Sequence, residues 1–199
     1  MLNRLFLTIL AFALTIFGSN IVSTADTINN PEDQRSFPFL VSSLNFGQWE
    51  TFGPDKRVKI VESKGAPSGQ AYRVTVKKKK PNHWDIATRN DMVKDIKKDD
   101  VIVVSFWARA AKPQKGKEKG DIYVALQRDI EPYDQVILER IALDTEWKKY
   151  HLSGKANRDY AADVTELNYN LALAKQTIEF AEYYVMNIGP DGDPEQYIP

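Results

Sequence analysis

Val101-Ile102-Val103-Val104-Ser105-Phe106-Trp107-Ala108-Arg109-Ala110 is the most apolar run after residue 25. It is dominated by β-branched and aromatic residues, with Asp99-Asp100 before it and Lys112-Pro113-Gln114 after it. That composition reads as a central β-strand, buried on at least part of both faces. From Ser105 onward the run alternates. Phe106 and Ala108 point one way, and Ser105, Trp107 and Arg109 the other. An outward face bearing Trp and Arg is one candidate working surface.

Working outward from this strand, the same period of two recurs. Residues 71–76 alternate, with Tyr72, Val74 and Val76 inward and Arg73, Thr75 and Lys77 outward. In residues 121–128, Ile122, Val124 and Leu126 face in while Tyr123, Ala125 and Gln127 face out. In residues 163–174, Leu167, Tyr169, Leu171 and Leu173 share one face and Asn168, Asn170 and Ala172 the other. Residues 57–62, 135–143, 146–152 and 177–188 read as further strands, 83–88 as a short one, and 91–98 as a loop or a single helical turn. Residues 37–44 form an apolar opening segment, an edge strand given Pro38. Gly and Pro punctuate the strands, and no long amphipathic helix interrupts them. About ten such strands predict an all-β fold, a jelly-roll β-sandwich. The boundaries read as a sandwich domain over 37–189, a linker over 26–36 and an acidic tail over 190–199.

Residues 1–25 are set apart. Arg4 begins a positive start, residues 5–17 are an apolar run, and Ser23-Thr24-Ala25 offers small residues for cleavage. This predicts a secretory signal peptide cut after Ala25, and a secreted or periplasmic protein with no membrane span in its mature chain. An uncleaved N-terminal anchor is the other reading. Basic and acidic side chains number 27 each, so the net charge is zero. A nucleic-acid partner, which needs a positive excess, is not expected. There are no cysteines, which excludes disulfides, thiolate nucleophiles and Cys-based metal sites.

Catalytic signatures are sparse. The two histidines, His83 and His151, lie in different predicted strands with no ligand spacing between them. Gly-x-Ser-x-Gly and phosphate-loop motifs are absent. Two carboxylates at glycosidase separation carry no information when 27 acidic residues are present. No cofactor is expected. The aromatic residues say more. Trp49 and Trp147 suit core positions. Trp84 sits between polar neighbours after Pro81-Asn82, where both a core role and a ligand platform remain open. Lys77-Lys78-Lys79-Lys80 reads either as a solvated strand end or as an anion site.

The order of several segments carries a resemblance. Ser68-Gly69-Gln70-Ala71-Tyr72-Arg73-Val74-Thr75-Val76 is followed by His83-Trp84-Asp85 and the 99–110 strand. Then come Leu143-Asp144-Thr145-Glu146-Trp147-Lys148-Lys149-Tyr150, Leu167-Asn168-Tyr169-Asn170-Leu171-Ala172 and Thr177-Ile178-Glu179-Phe180. Over about residues 37–188 this resembles the β-sandwich carbohydrate-binding modules attached to bacterial endoglucanases and xylanases, with a galactose-binding-like jelly roll. The resemblance implies non-catalytic binding of a glycan chain in a groove on the concave sheet. It places the platform on Trp84, outward polar contacts on Arg73, Gln127 and Asn170, and a loop aromatic on Tyr133. Trp107 becomes a secondary candidate for the groove, with Arg109 at its rim. A structural calcium often accompanies the family's last strand, but Glu179-Phe180-Ala181-Glu182-Tyr183-Tyr184 departs from that pattern.

The expectation is therefore a secreted, non-catalytic protein binding a poly- or oligosaccharide, with a separate glycoside hydrolase as a further possible partner. The alternatives are a protein-interaction module of the envelope or extracellular space, and a jelly-roll glycan hydrolase or lyase.

Overall fold

The structure is a computed structural model that describes residues 38–43 and 48–198. The predicted signal peptide, the linker and part of the opening segment lie outside the described residues. Ten strands follow in chain order: β1 (Glu50–Phe52), β2 (Lys56–Glu62), β3 (Gln70–Val76), β4 (Ala87–Asp91), β5 (Val101–Lys112), β6 (Gly120–Arg128), β7 (Gln135–Leu143), β8 (Lys148–Lys155), β9 (Thr165–Asn170) and β10 (Gln176–Asn187). They form two five-stranded antiparallel sheets. The front sheet runs β1-β4-β9-β6-β7 and the back sheet β2-β3-β10-β5-β8. This is the jelly-roll sandwich that the alternation predicted.

The sandwich closes because the inward sets of both sheets are apolar and meet. Val74, Ile102, Val104, Phe106, Ile178 and Phe180 come from the back sheet; Ile122, Val124, Leu126, Leu167 and Tyr169 come from the front, and all are fully buried. Tyr169 packs on Phe180 with ring centroids 4.7 Å apart and on Phe106 at 5.2 Å. Trp49 closes the open side of this cluster, stacking on Tyr72 at 5.6 Å and Phe180 at 5.4 Å. Burying an aromatic of this size contributes about 2–3 kcal/mol.

Two expectations change. The 101–110 strand is interior, but it lies between β10 and β8; the middle places belong to β10 in the back sheet and β9 in the front. Residues 83–88 are not one strand. His83–Asp85 is a 3-10 turn, and β4 begins only at Ala87. The turn forms because the Asp85 carboxylate accepts hydrogen bonds from the Asn82 backbone N–H (3.1 Å) and side-chain amide (3.3 Å), which diverts the chain from a ladder. The acidic tail also has structure: Pro194–Gln196 is a 3-10 turn whose Asp193 cap accepts from the Glu195 N–H at 3.1 Å.

Candidate carbohydrate-binding face

Side chains paired directly across antiparallel strands share a face. The front-sheet register therefore fixes what its outer face presents. The first row is Phe52, Ala87, Asn170, Tyr123 and Arg140. The second is Glu50, Arg89, Asn168, Ala125 and Leu138. The third holds Asp91, Glu166 and Gln127, with Gln135 beyond a bulge. From Tyr123 to Gln127 the rows extend about 13 Å along the strands.

The middle of this surface is recessed. Ala87 and Ala125 have no exposed surface, and Glu166, Asn168 and Asn170 are buried despite facing outward. Around them stand exposed apolar groups: Trp84 (56%), Leu138 (44%) and Phe52 (39%). The result is a trough with a polar floor and an apolar rim, the pattern of a ligand site. The back sheet is different. Of the seven large apolar side chains exposed among the described residues, only Ile60 belongs to a back-sheet strand.

Glu166 organises the floor. Its Oε1 accepts from Asn168 Nδ2 (2.8 Å) and Gln127 Nε2 (3.1 Å), and its Oε2 from Arg89 at 3.4 Å. Arg89 also donates to Glu50 at 2.9 Å and lies over the Phe52 ring at 5.7 Å. Its pKa is raised, first by the hydrogen bond to Glu50, so it stays charged. Two floor acceptors are left over. The buried Oδ1 atoms of Asn168 and Asn170 have no partner among the described residues, and Asn170 makes no side-chain hydrogen bond there. An unpaired buried amide oxygen costs about 1–3 kcal/mol, a deficit that a hydroxyl donor would remove.

One end of the trough is aromatic. The His83 ring stacks on Tyr123 at 4.4 Å and meets Trp84 edge-on at 4.6 Å. Burial lowers the His83 pKa, with Asp85 opposing, so the imidazole is neutral at pH 7 and the cluster presents uncharged rings. Beside it, Arg140 is paired to Asp121 through Nε at 2.8 Å and Nη2 at 2.5 Å. An indole beside amides and a guanidinium can stack on the apolar face of a sugar ring while hydroxyls bond laterally.

Three of the residues singled out from sequence, Trp84, Gln127 and Asn170, come together here. Tyr133 is exposed on the loop joining β6 to β7, at the opposite end of the front sheet from Trp84. Arg73 and Trp107 do not join them, because β3 and β5 belong to the back sheet. Arg73 is held there. With Arg109 (2.8 Å) and Ser63 (2.8 Å) it clamps the fully buried Glu179 carboxylate. Burial raises the Glu179 pKa, but the hydrogen bonds from Arg109, Ser63 and Arg73 outweigh it and the net shift is downward. Arg109 lies 5.4 Å from the Trp147 ring, whose Nε1 donates to Ser63 at 3.3 Å. Trp107, paired in register with Lys149, shares this face. Sequence reading passed over Glu50, Phe52, Arg89, Glu166 and Leu138. Glu166 shares the parity of Asn168 and Asn170, so extending their alternation by one step would have found it; the others become visible only through strand pairing.

On the last strand Glu179 is engaged by two arginines, and Glu182 accepts from Tyr184 at 3.4 Å. Among the described residues no group of three or more His, Asp or Glu side chains is placed to hold a metal ion. Nor does any described helix have the length and apolarity to cross a membrane.

Solved structures share the fold. The second N-terminal cellulose-binding domain of a Cellulomonas fimi β-1,4-glucanase superposes with a TM-score of 0.55 at 15% identity, covering 76% of this chain and 92% of that one. A xylan-binding domain from Paenibacillus barcinonensis gives 0.51 at 16% identity, covering 71% and 86%. A further structure, described as CBM4, gives 0.51 at 15%, covering 70% and 86%. No curated protein matches the chain. Residues 35–164, well over half the sequence, match the family model described as a carbohydrate binding domain, and the chain therefore belongs to that family of non-catalytic carbohydrate-binding modules.

Proposed function

We propose that this protein is exported and binds a poly- or oligosaccharide chain in the front-sheet trough. Trp84 stacks on a sugar ring, and Gln127, Asn168, Asn170 and Arg89 bond hydroxyls along the floor. The observation that carries this reading is the unpartnered Asn170 amide, buried beside the His83–Trp84–Tyr123 ring cluster on the sheet face that keeps exposed apolar groups. Tyr133 extends the contact at the far end for longer chains. Held in this way, a glycan would be presented to a separate glycoside hydrolase. The Arg4-led apolar leader supports export.

Isothermal titration against a panel of soluble glucans, xylans and mannans tests the reading. Trp84→Ala should weaken binding by tenfold or more, the scale of a central aromatic anchor, roughly 2 kcal/mol. Because Trp84 is mostly exposed, its loss should change stability by no more than about 0.5 kcal/mol. Unchanged binding in the variant would remove Trp84 from the site. Silence across the panel, with a protein partner captured through the same face, would instead favour an interaction module.

A further inference from the structure

The lysine run has a defined place. Lys77–Lys80 opens the connection that leaves the back sheet after β3 and reaches the front sheet at β4, and the same connection carries Trp84. Backbone bonds fasten it to two neighbouring loops. Lys77 N–H donates to Asp55 O (2.8 Å), Lys80 N–H to Ala172 O (3.0 Å) and Ala172 N–H to His83 O (3.2 Å). The acidic groups of this block are engaged. Asp55 holds Lys80 at 2.5 Å, and Asp85 accepts from Asn82. Lys77, Lys78 and Lys79 remain exposed, as does Lys175 on the loop between β9 and β10, and none of the four forms an ion pair among the described residues.

Four unpaired cations on one end of a chain with zero net charge are a local imbalance. They repel one another, and an incoming anion relieves that repulsion. The trough carries the opposite sign, since Arg89 faces both Glu50 and Glu166 while Arg140 is matched by Asp121, so an anionic group is received at the lysine patch and not on the trough floor. Resting on the glycan reading above, we propose that the bound polysaccharide is a carboxylate-bearing one: neutral sugars lie along the floor, and a uronosyl carboxylate beyond Trp84 is received by Lys77, Lys78, Lys79 and Lys175. A patch at one end of a single exposed indole suits one substituted sugar better than a membrane surface or a nucleic-acid backbone, both of which need a broad positive face.

The test uses the full chain and two matched pairs of polymers, hydroxyethylcellulose with carboxymethylcellulose, and neutral xylan with glucuronoxylan, in affinity electrophoresis at low and high salt. At low salt the carboxylated member of a pair should be held roughly three- to tenfold more tightly, the combined effect of a few exposed ion pairs. That preference should vanish near 0.5 M salt, by Debye screening. Lys77→Gln/Lys78→Gln/Lys79→Gln should equalise the pair while retaining neutral binding; the exposed substitutions spare the fold. Equal affinity for both members, or a preference that survives the triple variant, overturns the anionic assignment and leaves glycan binding standing. Equally strong retention of polyglutamate, which has no ring to stack on Trp84, overturns it as well. Failure of every neutral and acidic glycan to bind overturns both readings together.

Discussion

Asn170 and His83 carry most of the residue-scale argument. Asn170 is buried on a sheet's outer face and its side chain makes no protein hydrogen bond among the described residues, so the fold gains little from its side-chain amide. Asn170→Ala should leave stability unchanged or slightly raised, because removing an unsatisfied polar group removes its desolvation cost. Glycan affinity should fall roughly three- to tenfold, the worth of one hydrogen bond. Titration calorimetry with urea denaturation on the same variant separates the two; a loss of about 2 kcal/mol in stability with unchanged affinity would make Asn170 a structural residue. His83 gives the pH dependence. Burial lowers its pKa below the ordinary 6.5, and His151 is lowered by burial and then by Lys149. The unfolded chain therefore takes up protons before the folded one does. Stability is complete above about pH 6.5 and declines as pH falls through the lowered folded values. The carboxylates held low in the fold, Asp55, Asp144, Asp159 and Glu179, lose their contribution in a separate window below the ordinary carboxylate range, and Glu182, raised by burial, acts in the opposite sense. Urea midpoints at pH 7.5 and 5 should differ, and His83→Gln should shrink the difference; an unchanged difference would detach His83 from it.

At the scale of elements, the 3-10 turn His83–Asp85 sets where Trp84 stands, and Gly53 sets the turn. Gly53 has φ +96°, and a Cβ there would lie 2.0 Å from the Asp85 carbonyl oxygen and 2.9 Å from the Ile86 Cα. Gly53→Ala must push this turn away. It should cost about 1–3 kcal/mol and weaken glycan binding. Gly69, with φ +72° and nothing within 4 Å of an added Cβ, is the control. Gly69→Ala should cost only backbone strain, about 1–2 kcal/mol, and leave affinity intact, as differential scanning fluorimetry and binding on both variants would read out. Equal affinity in the two would show that the turn does not position the platform. The elements also show what sequence could and could not say. Period two correctly put Tyr123, Gln127, Asn168 and Asn170 outward, and likewise Arg73, Trp107 and Arg109. It could not assign strands to sheets, because pairing such as Arg73 with Glu179 joins residues far apart in sequence. Arg73 and Trp107 therefore point outward as read, yet from the other face of the sandwich. The turn at His83–Asp85 was missed because its stabilising contact is a side chain bonding its own local backbone, which hydrophobic periodicity does not register.

In the whole molecule the two outer faces have different fates. The back face is closed by its own chemistry: Glu179 is locked under two arginines, with Ser63 and Trp147 joined to the same cluster. The front face keeps its rim exposed and its floor under-bonded. The four tryptophans divide between these environments, with Trp84 on the trough rim, Trp49 in the core contact of Tyr72 and Phe180, and Trp107 and Trp147 on the back. Their indole N–H resonances are four reporters in one spectrum. Titrating the 15N-labelled protein with a glycan that binds should shift the Trp84 indole strongly, together with amides of β4, β6 and β9, while the Trp107 and Trp147 indoles stay in place. Movement of the Trp107 and Trp147 indoles with Trp84 unmoved would put the ligand on the back sheet and contradict the account.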